Sequence, residues 1–328
     1  MKYIIMIVFG CLLVASCIIR FNGATIVNSC SEEGIDYTEV REVGPFNALS
    51  SSLPCTIYFS QADKQEVRVE TTEEFAPKVL TFVEDGTLNL KMEEGRYPEL
   101  ILRVVISVPD IESISLYGSG DLRHEGTLAV SNYLSVSASG SGDIQMGDIV
   151  CKAFETRTSG SGNLHFGRID SDVFRASASG SGDIAIASVA ASGSASVRVT
   201  GSGHIHLIES MSVNGDMDLS TRGSGDISLE SLTASGNVSA RSLGSGHIRL
   251  HEVTVDGDMD LKTSGSGDIT VNGSCHDLTA VTSGSGDISV NGSCRDVTAS
   301  TAGSGNITGN LSHAGMRAQS SGSGNIAL

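Results

Sequence analysis

Eleven times the chain reads Gly-Ser-Gly followed by Asp, Asn or His and then Ile or Leu, with first glycines running from Gly118 to Gly322. The residue after each Gly-Ser-Gly is the one with chemistry to offer. It is Asp at 121, 143, 183, 226, 268 and 287, Asn at 163, 306 and 325, and His at 204 and 247. A column of carboxylates suits calcium, as in glycine-rich β-rolls that use Asp as ligand. Those rolls use a nonapeptide repeat, whereas here the position returns every 19 to 22 residues. Imidazole is also a poor partner for hard Ca²⁺. His204, Asp226 and His247 would instead offer a transition metal two nitrogens and an oxygen, but on a convex edge without the outer hydrogen bonds that orient metal ligands. Asp, Asn and His are the non-glycine residues that best tolerate left-handed backbone. The column is therefore expected to be turn chemistry, holding no metal and no cofactor.

Cysteine is the second candidate chemistry. Besides Cys11 and Cys17, the chain carries Cys30, Cys55, Cys151, Cys275 and Cys294. Cys275 and Cys294 stand at one phase of adjacent repeats, in NGSCHDL and NGSCRDV. In-register neighbours ~4.8 Å apart fall within disulfide reach, so the pair reads either as a disulfide or as two stacked core thiols. An odd count leaves at least one of the five unpaired in a monomer.

Enzymatic patterns are weak. A polysaccharide-processing β-helix needs acids and bases converging in a cleft; the outward residues here are Ser, Thr and scattered charges. No Gly-x-Ser-x-Gly elbow, Walker loop or Cys-His pattern is present. The expectation is no enzyme, with a polysaccharide-processing β-helix enzyme and a calcium-binding β-roll-like module as the alternatives.

The elements that carry these residues follow from the period. A turn signal repeated at one phase marks a solenoid in which each repeat is one coil. After each Gly-Ser-Gly comes an alternating strand, such as Ile144 and Met146 or Ile184 and Ile186, with polar or small residues between. Asn214-Gly215, Asp256-Gly257, Asn272-Gly273 and Asn291-Gly292 mark a second turn, expected to use positive φ. Met211-Ser212-Val213 and Val253-Thr254-Val255 read as a minor strand before it. A returning strand then tapers inward, as in Phe154-Thr156-Thr158 and Met217-Leu219-Thr221, toward a tight glycine corner. The fold class is all-β, a parallel β-solenoid, right-handed by the usual crossover preference. Eleven coils at ~4.8 Å make a rod on the order of 50 Å long. Residues 118–328 form the solenoid proper. Residues 38–117 lack the repeat but hold all 5 prolines, and read as irregular first coils plus a cap. At Gly324–Leu328 the chain stops in mid-coil, an open edge that invites pairing with a second copy unless the loop at Ser312–Gly315 folds over it.

Charge and termini bound the partners. The net charge of −17 speaks against nucleic acid. Lys2, the apolar run Ile4–Ala15 and Val14-Ala15-Ser16-Cys17 resemble a lipoprotein signal peptide (1–16) that leaves an acylated Cys17 and a tether through 37; an ordinary cleaved signal peptide is the alternative. This implies an outer-membrane lipoprotein, on the periplasmic or the surface-exposed face.

The repeat, together with Val40-Arg41-Glu42-Val43-Gly44-Pro45-Phe46 and the run to Val108-Pro109-Asp110, resembles the putative auto-transporter adhesin head GIN domain family over about residues 38–328. That resemblance implies a parallel β solenoid in a Bacteroidetes-type envelope protein, often a lipoprotein. It implies an adhesin-like or structural role with an unidentified protein or glycan ligand. It brings no active site.

Overall fold

The computed structural model describes residues 26–328. Cys11, Cys17 and the signal segment lie outside the described residues. From the first Gly-Ser-Gly to Gly303, each coil gives one strand to each of two facing sheets. The long-strand sheet takes segments such as Ile144–Val150, Ile184–Ala191 and Ile227–Ala234. The short-strand sheet takes Ala153–Thr158, Ala195–Val199 and Val238–Ser242. Pairing between successive coils is parallel throughout, so the chain is the parallel β-solenoid its period requires.

Register explains why these residues are chosen. Ile144, Leu164, Ile184, Ile205, Ile227, Ile248, Ile269, Ile288 and Ile307 stack as direct partners down the long-strand sheet. All nine are fully buried. Inward residues alternate with polar ones on the outer faces, because strand side chains alternate between faces. The core between the sheets is thin; its bulkiest members, Phe154 and Phe174, stack with centroids 6.2 Å apart.

The minor strand expected between the two turns is not separate. Met211-Ser212-Val213 ends the strand Ile205–Val213, and Val253-Thr254-Val255 ends Ile248–Val255. Irregularities between Leu207 and Met211, and between Leu250 and Val253, absorb the differing repeat lengths.

The cap uses the same sheets with reversed strands. Glu66–Thr71 runs antiparallel to Leu100–Val108 and to Tyr37–Val40. Val79–Glu84 and Thr87–Met92 form an antiparallel hairpin over Asp85 and Gly86, whose φ values of 48° and 72° are the positive angles a tight hairpin turn needs. Ala48–Ser51 and Thr56–Gln61 make a coil wedged between the cap and the first Gly-Ser-Gly coil. Glu70, nearly buried, receives Arg68 Nε at 2.8 Å and Arg103 Nε at 2.6 Å. Burial alone would push its carboxyl up, but the hydrogen bonds and charges of Arg103 and Arg68 prevail and hold it below the usual carboxylate range. Parts of residues 26–37 are already paired: Ile26–Val27 with Arg96–Tyr97, and Cys30–Ser31 with Leu100 and Ile101.

At the far end, Gly315–Ser320 and Ile326–Ala327 are the outermost strands of the two sheets. Ser312 pairs with Ser293 and Gly315 with Asp296, so that loop continues the coil and does not cover it. Met316, whose register partner Val297 is buried, is 36% exposed.

Candidate functional site

The column after Gly-Ser-Gly is a hydrogen-bond ladder along one edge of the rod. The Oδ1 of Asp121 accepts the backbone N–H of Asp143 at 2.9 Å, and Asp143 Oδ1 accepts that of Asn163 at 2.7 Å. Asn163 serves Asp183, and Asp183 serves His204. His204 Nδ1 accepts Asp226 N–H at 3.0 Å, Asp226 Oδ1 accepts His247 N–H at 2.7 Å, and His247 Nδ1 accepts Asp268 N–H at 3.0 Å. Asp268, Asp287 and Asn306 continue to Asn325. Asp, Asn and His share one property here: an acceptor atom in the same place, two bonds beyond Cβ.

This corrects the turn argument. Among the described residues the only non-glycine with positive φ is Asp85, and no glycine of a Gly-Ser-Gly has positive φ. Of the second-turn glycines Gly215, Gly257, Gly273 and Gly292, only Gly292 has it, at 135°. Glycine is demanded by close approach instead. A Cβ at Gly140 or Gly142 would lie well within 3.0 Å of the Gly118 or Gly120 carbonyl of the coil before. The corner also has an inner brace. Buried Thr158, Thr221, Ser242, Thr263, Thr282 and Thr301 each donate a hydroxyl to the carbonyl of the second corner glycine four residues on, at 2.8 to 2.9 Å.

The ladder therefore engages Nδ1 of His204 and of His247 and Oδ1 of Asp226, leaving Nε2 of each imidazole outside it. Asp226 Oδ2 is taken too, by Arg249 Nη1 at 2.7 Å. Burial works to raise the Asp226 carboxyl, but the His247 N–H and the Arg249 guanidinium outweigh it and leave it below the usual range. Asp121, at the start of the ladder, is pushed up, mainly by burial.

The close donor group among the described residues lies elsewhere, at the second corner, and sequence reasoning missed it. Asp258, His276 and Asp277 bring ligand atoms within 4.8 Å of one another. His276 Nδ1 is 3.1 Å from Asp258 Oδ1, and Arg295 Nη2 is 2.6 Å from Asp277 Oδ2. A guanidinium on one carboxylate makes this an ion-pair chain on an open surface. Its signal was a second, shorter ladder, in which Asp216 and Asn237 accept the N–H groups of Asn237 and Asp258.

One concave feature of the rod is a groove of about 590 Å³ on the outer face of the short-strand sheet. Its floor is a register column, Arg175–Ser196–Asp218–Ser239–Asp260–Thr279. Beside it runs Arg198–Ser220–Arg241–Lys262. Charges interlock across the two columns: Arg241 Nη1 to Asp218 at 2.8 Å, Lys262 Nζ to Asp260 at 2.6 Å, Arg198 Nη2 to Asp218 at 3.6 Å. The groove thus presents fixed donors and acceptors of both signs, repeating with the coil rise.

Of the cysteines, Cys55 and Cys151 are buried, and Cys30, Cys275 and Cys294 are half-buried against the core. Burial raises every one, Cys30 and Cys151 to about 11 and Cys275 to about 12.

A family described as "Putative auto-transporter adhesin, head GIN domain" matches residues 45–230 and 217–328. Among solved structures, a "putative adhesin" from Bacteroides fragilis NCTC 9343 is 18% identical, with TM-score 0.40, covering 92% of this chain and 99% of that one. A "putative lipid binding protein" from Parabacteroides distasonis ATCC 8503 is 19% identical, with TM-score 0.49 and the same coverages. A "putative adhesin" from the same strain is 14% identical, with TM-score 0.48, covering 90% of this chain and 99% of that one. No curated protein matches the chain.

Proposed function

The chain belongs to the putative auto-transporter adhesin, head GIN domain family, and from that membership we propose that it is a non-enzymatic, adhesin-like rod that binds glycans along the outer face of its short-strand sheet. The groove carries the reading. Its volume is in the range of ligand sites, and its lining suits hydroxyl groups better than a single charge, since Asp218 and Asp260 can accept while Arg241 and Arg175 donate. Without aromatic platforms in the lining, affinity per site is modest and is multiplied by many anchored copies. Acylated Cys17 supplies the anchor, placing the rod at the outer membrane. Two experiments test this. Intact cells treated with protease should lose the rod; protection until the outer membrane is permeabilised would contradict surface display. On a glycan array the purified chain should give a defined set of hits, weakened at least tenfold by Asp218→Ala with Arg241→Ala. An array without hits would contradict glycan binding.

A further inference from the structure

We propose that Cys275 and Cys294 are a disulfide site, a covalent staple between two adjacent coils of the rod. The strands Ile269–Ser274 and Ile288–Ser293 are in register over their whole length, with Ser274 opposite Ser293. The next residue on each is the cysteine. Both side chains turn inward against the core, so their Cβ atoms point the same way. The Cα spacing of adjacent strands, ~4.8 Å, lies within the disulfide range of about 4.4–6.8 Å. Cβ atoms must draw together by a few tenths of an ångström, which is easiest at a corner. Both cysteines sit just past a strand end, where Cys275 N–H bonds Ser293 at 3.2 Å and Cys294 N–H bonds Ser312 at 2.9 Å.

The same inward column holds Cys151, Ser171, Ala191, Val213, Ala234 and Val255 in the preceding coils. A small or β-branched side chain is what the corner accepts there, and only Cys275 and Cys294 bring two cysteines together in adjacent coils of it. In a solenoid each coil is held by its neighbours. A bond between these two coils adds a covalent link to the parallel pairing of Ile269–Ser274 with Ile288–Ser293 and opposes their separation.

The chemistry is thiol–disulfide exchange with a disulfide oxidant, protein or small molecule. One thiolate attacks the oxidant and forms a mixed disulfide, releasing one thiol. The second thiolate then displaces the other half of the oxidant. The products are the Cys275–Cys294 bond and two thiol groups of the reduced oxidant, which carry the two electrons and two protons. The raised thiols make both steps slow without a catalyst.

The test is peptide mapping of the full chain, trapped with an alkylating agent on isolation from cells, and again after equilibration with oxidised glutathione. Trypsin releases Thr263–Arg295, which carries these two cysteines and no other. It should be unalkylated and lighter by two hydrogen atoms. In the oxidised chain the amides of Ile288–Ser293 should exchange roughly tenfold more slowly than in the reduced chain, and Cys294→Ser should abolish the difference. Serine already occupies this column at Ser171, so the variant retains the fold. Two alkylated thiols, or glutathione on each, under both conditions would overturn the site.

Discussion

At the residue scale, each corner position is chosen for one atom. His204 contributes Nδ1 to the ladder, so His204→Asn, which keeps an acceptor in place, should leave the denaturation midpoint unchanged. His204→Leu should cost about 1 kcal/mol, the worth of one hydrogen bond. Gly182→Ala should cost ~3 kcal/mol or more or prevent folding, because its Cβ would meet the Gly162 carbonyl. Two carboxylates give opposite pH signatures. Asp226 is depressed in the fold, so its stabilisation is present above its unfolded value and is lost as pH falls through the lower folded one; Asp226→Asn should remove that part of the acid sensitivity. Asp121 is raised, so its contribution is present in acid and lost as pH rises through the folded value. Asp121→Asn should therefore raise the denaturation midpoint at neutral pH while keeping the acceptor for Asp143. The choice of Asp, Asn and His was visible in the sequence, but its reason was not. Tolerance of left-handed backbone and possession of an acceptor at one position select the same three residues, and only the observed φ angles and partners separate the two.

At the element scale, the coil is a two-strand unit closed by a braced glycine corner. Thr263 lends its hydroxyl to Gly267, so Thr263→Val should fill the same space, leave that carbonyl short of a partner and cost about 1–2 kcal/mol, read by denaturant titration. The strands after Gly-Ser-Gly and the tapering return strands were legible because alternation and shrinking side chains report burial directly. The fusion of Met211-Ser212-Val213 into one long strand was not, since a bulge preserves alternation on either side of it. Nor was the reversal in the cap. Whether Glu66–Thr71 runs parallel or antiparallel is fixed by its partner Leu100–Val108, about which local residue types say nothing. The ion-pair chain of Asp258, His276 and Asp277 escaped because its members come from two coils and face outward, where no hydrophobic pattern marks them.

At the scale of the whole molecule, the corners that hold the coils together lie apart from the outer face on which glycan binding is proposed. Corners and columns hold the coils, while the outer face of the short-strand sheet is free to change. Because stability is a sum of coil and interface terms, deletion of residues 244–264, one full repeat from Gly244 to the residue before Gly265, should leave a folded, shorter rod by circular dichroism. Removal of half as many residues should unfold it. The same separation gives the most direct test of the function proposed for the chain. Glycan-array signals should be compared for the wild-type chain, a corner variant (His204→Asn with His247→Asn) and a face variant (Asp218→Ala with Arg241→Ala). The account predicts that the corner variant keeps every signal and the face variant loses at least tenfold while remaining folded. Loss in the corner variant with full retention in the face variant would contradict it.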